Sequence, residues 1–201
     1  IPDRSSASEC RALLARLTMC QQQAHELEEK IQKAFDAKGY LDKAQSLPLP
    51  EALSQVERAI TLDPYWSFLK SPVQALATIT KTLQSRSSDV LGLWHETRGL
   101  QLAEPAIPNR AWTKTLQMWQ EDILAQLRRH LAEDVNRLLG EAAAARQQGR
   151  WAEAEKALQQ AEARDVTGQH VKAIEQQRTD LKNWQERAEK AKQAAQMAQH
   201  A

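Results

Sequence analysis

Two acidic pairs, Glu121-Asp122 and Glu133-Asp134, stand twelve residues apart in a stretch that reads as one long helix. Carboxylates placed this way can ligate metal across a bundle, as in carboxylate-bridged di-iron proteins, but those centres also need Glu-x-x-His partners. The chain contains none, so the pairs read as solvated acidic positions. The five histidines, His25, His95, His130, His170 and His200, are scattered, and none lies in a zinc-binding motif such as H-E-x-x-H. "WHETR" around His95 lacks the second His, and no Cys-x-x-Cys occurs. No serine sits in a nucleophile-elbow context, and no Gly-rich loop precedes a lysine to cradle phosphate. "RAWTKTLQMWQ" mixes basic and aromatic residues of the kind that stack on nucleobases. Trp112 and Trp119 fall one heptad apart, however, which favours a core or an interface. No catalytic, cofactor-binding or metal-ligating residue is therefore expected, no small-molecule substrate is evident, and the chain does not read as an enzyme.

The composition says what must position any working residue. Of 201 residues, 42% are apolar, only 5% are aromatic, and six of the ten aromatics are Trp. Ala, Leu, Gln, Glu, Lys and Arg dominate, and these lose little rotamer freedom in a helix. Six glycines are too few for a turn-rich β-sandwich of this length. The expected fold is all-α: an elongated bundle with long antiparallel helical hairpins. The charges nearly cancel, with 27 basic and 26 acidic residues interspersed. No basic block draws the chain to a phosphate backbone, so nucleic acid is not an expected partner. A nucleic-acid-associated helical domain using Arg128, Arg129 and Arg137 is the alternative reading. No apolar run is long enough to cross a bilayer, and no signal-peptide core is visible, so membrane insertion is not expected. Cys10 and Cys20 lie roughly 15 Å apart along one helix and cannot bond to each other there. Both fall on its apolar stripe as small buried hydrophobes, which favours a reducing, cytoplasmic setting.

The cleanest pattern opens the chain. Cys10, Leu13, Leu17, Cys20, Ala24, Leu27, Ile31 and Ala34 recur at alternating spacings of three and four, a coiled-coil-like seam. Ser6 with Glu9 predicts a capping-box start, and Gly39 a left-handed stop. "SLPLP" breaks the chain before a helix that starts near Pro50 and ends at Asp63-Pro64. Ser71-Pro72 predicts the next start, with a helix to about Leu83. Ser85 to Asp89 reads as a polar loop, with Ser88 capping a helix through Leu100. "AEPAIPN" is the strongest linker signal, and it divides the chain into an N-terminal bundle, 3–102, a Pro-containing linker, 103–110, and a C-terminal long hairpin, 111–201. From Ala111 to Gln148 a helical period is carried by Trp112, Leu116, Trp119, Ile123, Leu127, Leu131, Val135, Leu138, Ala142 and Ala145. Gly149 closes it, a short helix follows, and "DVTG" turns the chain into a last helix carrying Val171, Ile174, Leu181 and Trp184. That helix thins to Ala188, Ala191, Ala195 and Ala198, a face that buries little and so frays or is completed by a partner.

"EALSQVERAITLDP" and "AEAEKALQQAEARDV" share a design: an early Ala (Ala52, Ala154), a second seven residues later (Ala59, Ala161) and a late Asp (Asp63, Asp165). This resembles the second helix of a tetratricopeptide (TPR) repeat, with Gly149 and Trp151 matching the family's hairpin turn and Asp63-Pro64 its terminator. The two matches lie about a hundred residues apart rather than at the 34-residue period of an array, and Val166 replaces the proline. The resemblance therefore implies TPR-like hairpins within a bundle, without the family's concave peptide groove. "ERAITLDPYW" also resembles the ImpA-like structural proteins of bacterial type VI secretion. Both likenesses imply a protein-binding role.

Trp is enriched at binding hot spots because it buries much area with few rotors. Trp66 and Trp151 lie beside turns and are interface candidates together with Tyr65. Trp119 and Trp184 fit a bundle core first, with Trp184 kept as an interface candidate. The expected function is a non-enzymatic scaffold or adaptor, one part of a larger bacterial assembly. It would pack apolar stripes, Leu13, Leu17, Cys20 and Leu27 above all, against a protein partner or a second copy.

Overall fold

A computed structural model describes residues 4–84, 89–103 and 106–200. These form seven α-helices and one 3-10 helix, with no strand among the described residues: α1 (Arg4–Ala44), α2 (Leu49–Leu62), the 3-10 helix (Pro64–Leu69), α3 (Lys70–Leu83), α4 (Val90–Gly99), α5 (Arg110–Gln147), α6 (Trp151–Arg164) and α7 (Val171–His200). The fold is all-α. No helix among the described residues is long and apolar enough to cross a membrane.

Contacts group the chain into two units, 1–81 with 101–117, and 82–100 with 118–201. In the first, α1 packs on α2 as a helical hairpin, and α2 on the 3-10 helix. Ala37, Leu41 and Ala44 are the buried residues of α1, and Ala52, Val56 and Ala59 are buried along α2. Leu69, Val73, Leu76 and Ile79 add branched volume, while Leu49, Ala77, Leu102, Ile107, Trp112 and Leu116 complete the buried set. Asp63 ends α2 in an extended conformation (φ −137°), because Pro64 excludes a helical residue before it. Its carboxylate then accepts from Tyr65 N–H at 3.0 Å to start the 3-10 helix.

Several expected boundaries shift. Gly39 does not stop α1: it has no positive φ, and the helix continues to Ala44. A mid-helix glycine costs only about 1 kcal/mol, and burial of Leu41 and Ala44 beyond it outweighs that. α1 already begins at Arg4, so Ser6 lies inside it rather than at the cap, and its side chain falls outside the described residues. α3 starts at Lys70, running on from the 3-10 helix without a cap at Ser71. Ser88 lies outside the described residues, and the cap of α4 is Asp89, whose carboxylate accepts from Gly92 N–H at 3.1 Å. A Cβ at Gly92 would meet that carboxylate at 2.5 Å, so the glycine makes room for its own cap.

Asn109 Oδ1 caps the first turn of α5, within the first unit, by accepting from Ala111 and Trp112 N–H, and the second unit is built on α5 from residue 118 on. All ten residues that carry its expected period are buried. Leu93, Trp94 and Thr97 are buried on α4, and Gln120 on α5 donates to Thr97 O at 2.6 Å. Further along, Val135, Leu138, Ala142 and Ala145 of α5 pack with Ala154, Ala157, Leu158 and Ala161 of α6 and with Ile174 and Leu181 of α7. The α5–α6 connection is a Schellman turn: Arg150 N–H donates to Ala145 O at 2.9 Å and Gly149 N–H to Arg146 O at 3.1 Å. Gly149 has φ +72°, the left-handed conformation this turn requires. Gly168 (φ +70°) serves the α6–α7 turn. There the nearly buried Asp165 carboxylate accepts from His170 N–H at 2.8 Å.

Candidate protein-interaction surfaces

The amphipathic pattern of α1 is not matched by any cover. Every residue from 8 to 36 is exposed, and burial begins only at Ala37. Leu13, Leu17 and Leu27 show 62%, 56% and 58% of their surface, and Ile31 and Phe35 are also exposed. The seam is thus bare along its whole length. Cys10 and Cys20 are exposed free thiols on it, which corrects the expectation that they are buried. Their burial would need a second element on the seam, and none packs there among the described residues.

A second apolar feature is the 3-10 helix. Asp63 and Pro64 set its start, and three rings crowd together along it. Tyr65 meets Trp66 edge-on with centroids 5.2 Å apart, and Trp66 lies 5.8 Å from Phe68. Tyr65 is exposed, while Trp66 is half-buried. Such edge-to-face contacts hold the rings in place.

The third lies in the second unit. The Schellman turn delivers Trp151 to the first turn of α6, and Trp184 sits one turn beyond Leu181 on α7. With Arg146, Gln147, Gly149, Arg187 and Ala188 they line a cleft of about 450 Å³. Trp151 is half-buried against the α5–α6–α7 core, but Trp184 is 45% exposed, so the core reading for Trp184 is corrected. Its indole sits past the last buried residue of α7 and lines this cleft rather than the core. Arg146 is the cleft residue that periodicity passes over: it is largely buried and pairs with Asp180 of α7 at 3.1 Å. Its Nε is buried without a partner. Arg178 of α7 in turn reaches α6 by donating to Glu162 at 2.8 Å, and that hydrogen bond raises its pKa above the ordinary arginine value. Beyond Leu181, α7 is exposed through residue 198, including its Ala188, Ala191, Ala195 and Ala198 face.

Most of the remaining candidates are engaged internally. Trp112 and Trp119 are buried. Arg128 lies 5.4 Å from the centroid of the buried Trp94 ring and 3.6 Å from Glu121. Arg137 is held by Asp134 and Glu141, at 3.0 and 2.6 Å, and both bonds raise its pKa. The two flanking carboxylates keep Arg137 charged and offset its pull on phosphate. Arg129 is exposed. Of the acidic pairs, Glu121 and Asp134 are thus occupied by arginines. No group of three ligating side chains that could hold a metal occurs among the described residues. No family model matches the chain, and neither does any curated protein or solved structure.

Proposed function

We propose that this chain is a non-enzymatic scaffold or adaptor that joins a larger assembly through the apolar seam of α1. The observation that carries the reading is the bare stretch 8–36, whose seam from Cys10 to Ala34 keeps a strict alternation of three and four with nothing covering it among the described residues. Exposed apolar stripes of this kind on a soluble helix are kept out of water by a partner helix. The Tyr65–Trp66–Phe68 cluster and the Trp151–Trp184 cleft are secondary contact points of the same type. The hairpins α1–α2 and α5–α6 serve as TPR-like supports that hold these surfaces, and the likeness of "ERAITLDPYW" to ImpA-like proteins fits a component of a bacterial secretion assembly.

Leu17→Glu and Leu27→Glu test the reading. Both positions are more than half exposed, so each variant should fold normally by circular dichroism. Each should lose self-association in light scattering or lose captured partners. Two folded variants with unchanged mass and unchanged partner binding would overturn the assignment.

A further inference from the structure

The occupant of the α1 seam can be argued from what flanks it. We infer that it is a second copy of the same seam, running antiparallel, in the register that sets Leu17 against Cys20 of the second copy. This rests on the function proposed above and names the partner.

In heptad terms the seam alternates a positions (Cys10, Leu17, Ala24, Ile31) with d positions (Leu13, Cys20, Leu27, Ala34). Its g flank carries Glu9, Arg16, Gln23 and Lys30, and its e flank Leu14, Gln21, Glu28 and Phe35. A parallel, in-register pair sets each layer against itself. Leucine layers then alternate with Ala24–Ala24 and Ala34–Ala34 layers, which leave gaps that close packing does not tolerate. Its g-to-e pairs would be Glu9–Leu14, Arg16–Gln21, Gln23–Glu28 and Lys30–Phe35, and none joins opposite charges.

The antiparallel register pairs a with d and g with g. With Leu17 facing Cys20, Cys10 faces Leu27 and Ala24 faces Leu13, so every one of these layers joins a large side chain to a small one. The interhelical spacing then stays even from Cys10 to Leu27. Glu9 meets Lys30 at both ends of the pair, and Arg16 meets Gln23. Sliding by one heptad destroys both features: Leu17 meets Leu27, Ala24 meets Cys20, and Arg16 meets Lys30 with like charge. Volume and charge therefore select the same alignment, over residues that the fold leaves exposed.

The thiols report the geometry. In the full chain under mild oxidation, Leu27→Cys should form a disulfide between copies joining Cys10 to the new thiol, identified by peptide mass. Adding Cys10→Ser should abolish it although Cys20 remains, and the unsubstituted chain should cross-link poorly. Glu9→Lys should weaken self-association roughly tenfold, since it turns two attractive pairs into two repulsive ones, and Glu9→Lys with Lys30→Glu should restore it. Cross-linking of the unsubstituted chain through Cys10–Cys10 and Cys20–Cys20 would overturn the proposal in favour of a parallel pair. A strictly monomeric mass with no specific cross-link would overturn it as well. In that case, loss of another partner on Leu17→Glu would leave the broader function standing, whereas no effect of Leu17→Glu would remove both.

Discussion

The same substitution made at two leucines separates a covered helix from a bare one. Leu158 on α6 is 1% exposed and packs among Ala142, Ala145, Ala154, Ala157 and Leu181. Leu158→Ala removes its branched end from a surround made mostly of alanine methyl groups fixed on helix backbones, which cannot lean in to fill the gap. Large-to-small changes at such sites cost about 3–5 kcal/mol when the cavity stays open. Leu17 on α1 is 56% exposed and has no covering element. Leu17→Ala in the dissociated chain should stay within ~0.5 kcal/mol, since alanine is the better helix former and no cavity results. Urea titration at high dilution, followed by tryptophan fluorescence, reads the difference, because Trp151 packs against the Leu158 cluster. The midpoint for Leu158→Ala should fall well below that of the parent, while Leu17→Ala superimposes on it. A loss under ~1 kcal/mol at Leu158, or a loss above ~1 kcal/mol at Leu17 under dissociating conditions, would refute this account of where the core lies.

Gly149→Ala should destabilise the α5–α6 turn by about 1–2 kcal/mol in thermal unfolding, because a Cβ is strained at φ +72° even though it would meet only Trp151 at 3.8 Å. The Arg146–Asp180 pair should be asymmetric under chemical denaturation. Asp180→Ala leaves a guanidinium whose side chain is only 14% exposed without its carboxylate, and should cost more than Arg146→Met, which leaves the 37% exposed Asp180 in reach of water and of Gln176.

Helical periodicity located faces well and their covers not at all. Ten apolar positions from Trp112 to Ala145 are all buried, because α5 has neighbours along that stripe. The seam from Cys10 to Ala34 is equally regular in sequence and entirely exposed. A period of 3.5 or 3.6 records which side of a helix is apolar, and the element that lies against it is a tertiary fact. Trp184 shows the same limit on α7, one turn past the last buried side chain. Local stop signals were outweighed where packing continued, as at Gly39. They held where the backbone itself turned, as at Gly149 and Asp63-Pro64. Arg146 was invisible among many arginines, since only its spatial neighbour Asp180, 34 residues on, distinguishes it.

Alanine is what α5 and α6 bring to the core they form with α7: Ala142, Ala145, Ala154, Ala157 and Ala161 are all buried there. Heat capacity on unfolding rises by about 0.45 cal/mol/K for each Å² of apolar surface released to water. Methyl groups release little, and the exposed stretch 8–36 releases almost nothing. The heat-capacity increment should therefore fall below the ~12–15 cal/mol/K per residue of ordinary domains. A small increment flattens the curve of stability against temperature, so this protein gives up its folded state gradually on warming and is correspondingly hard to unfold by cold.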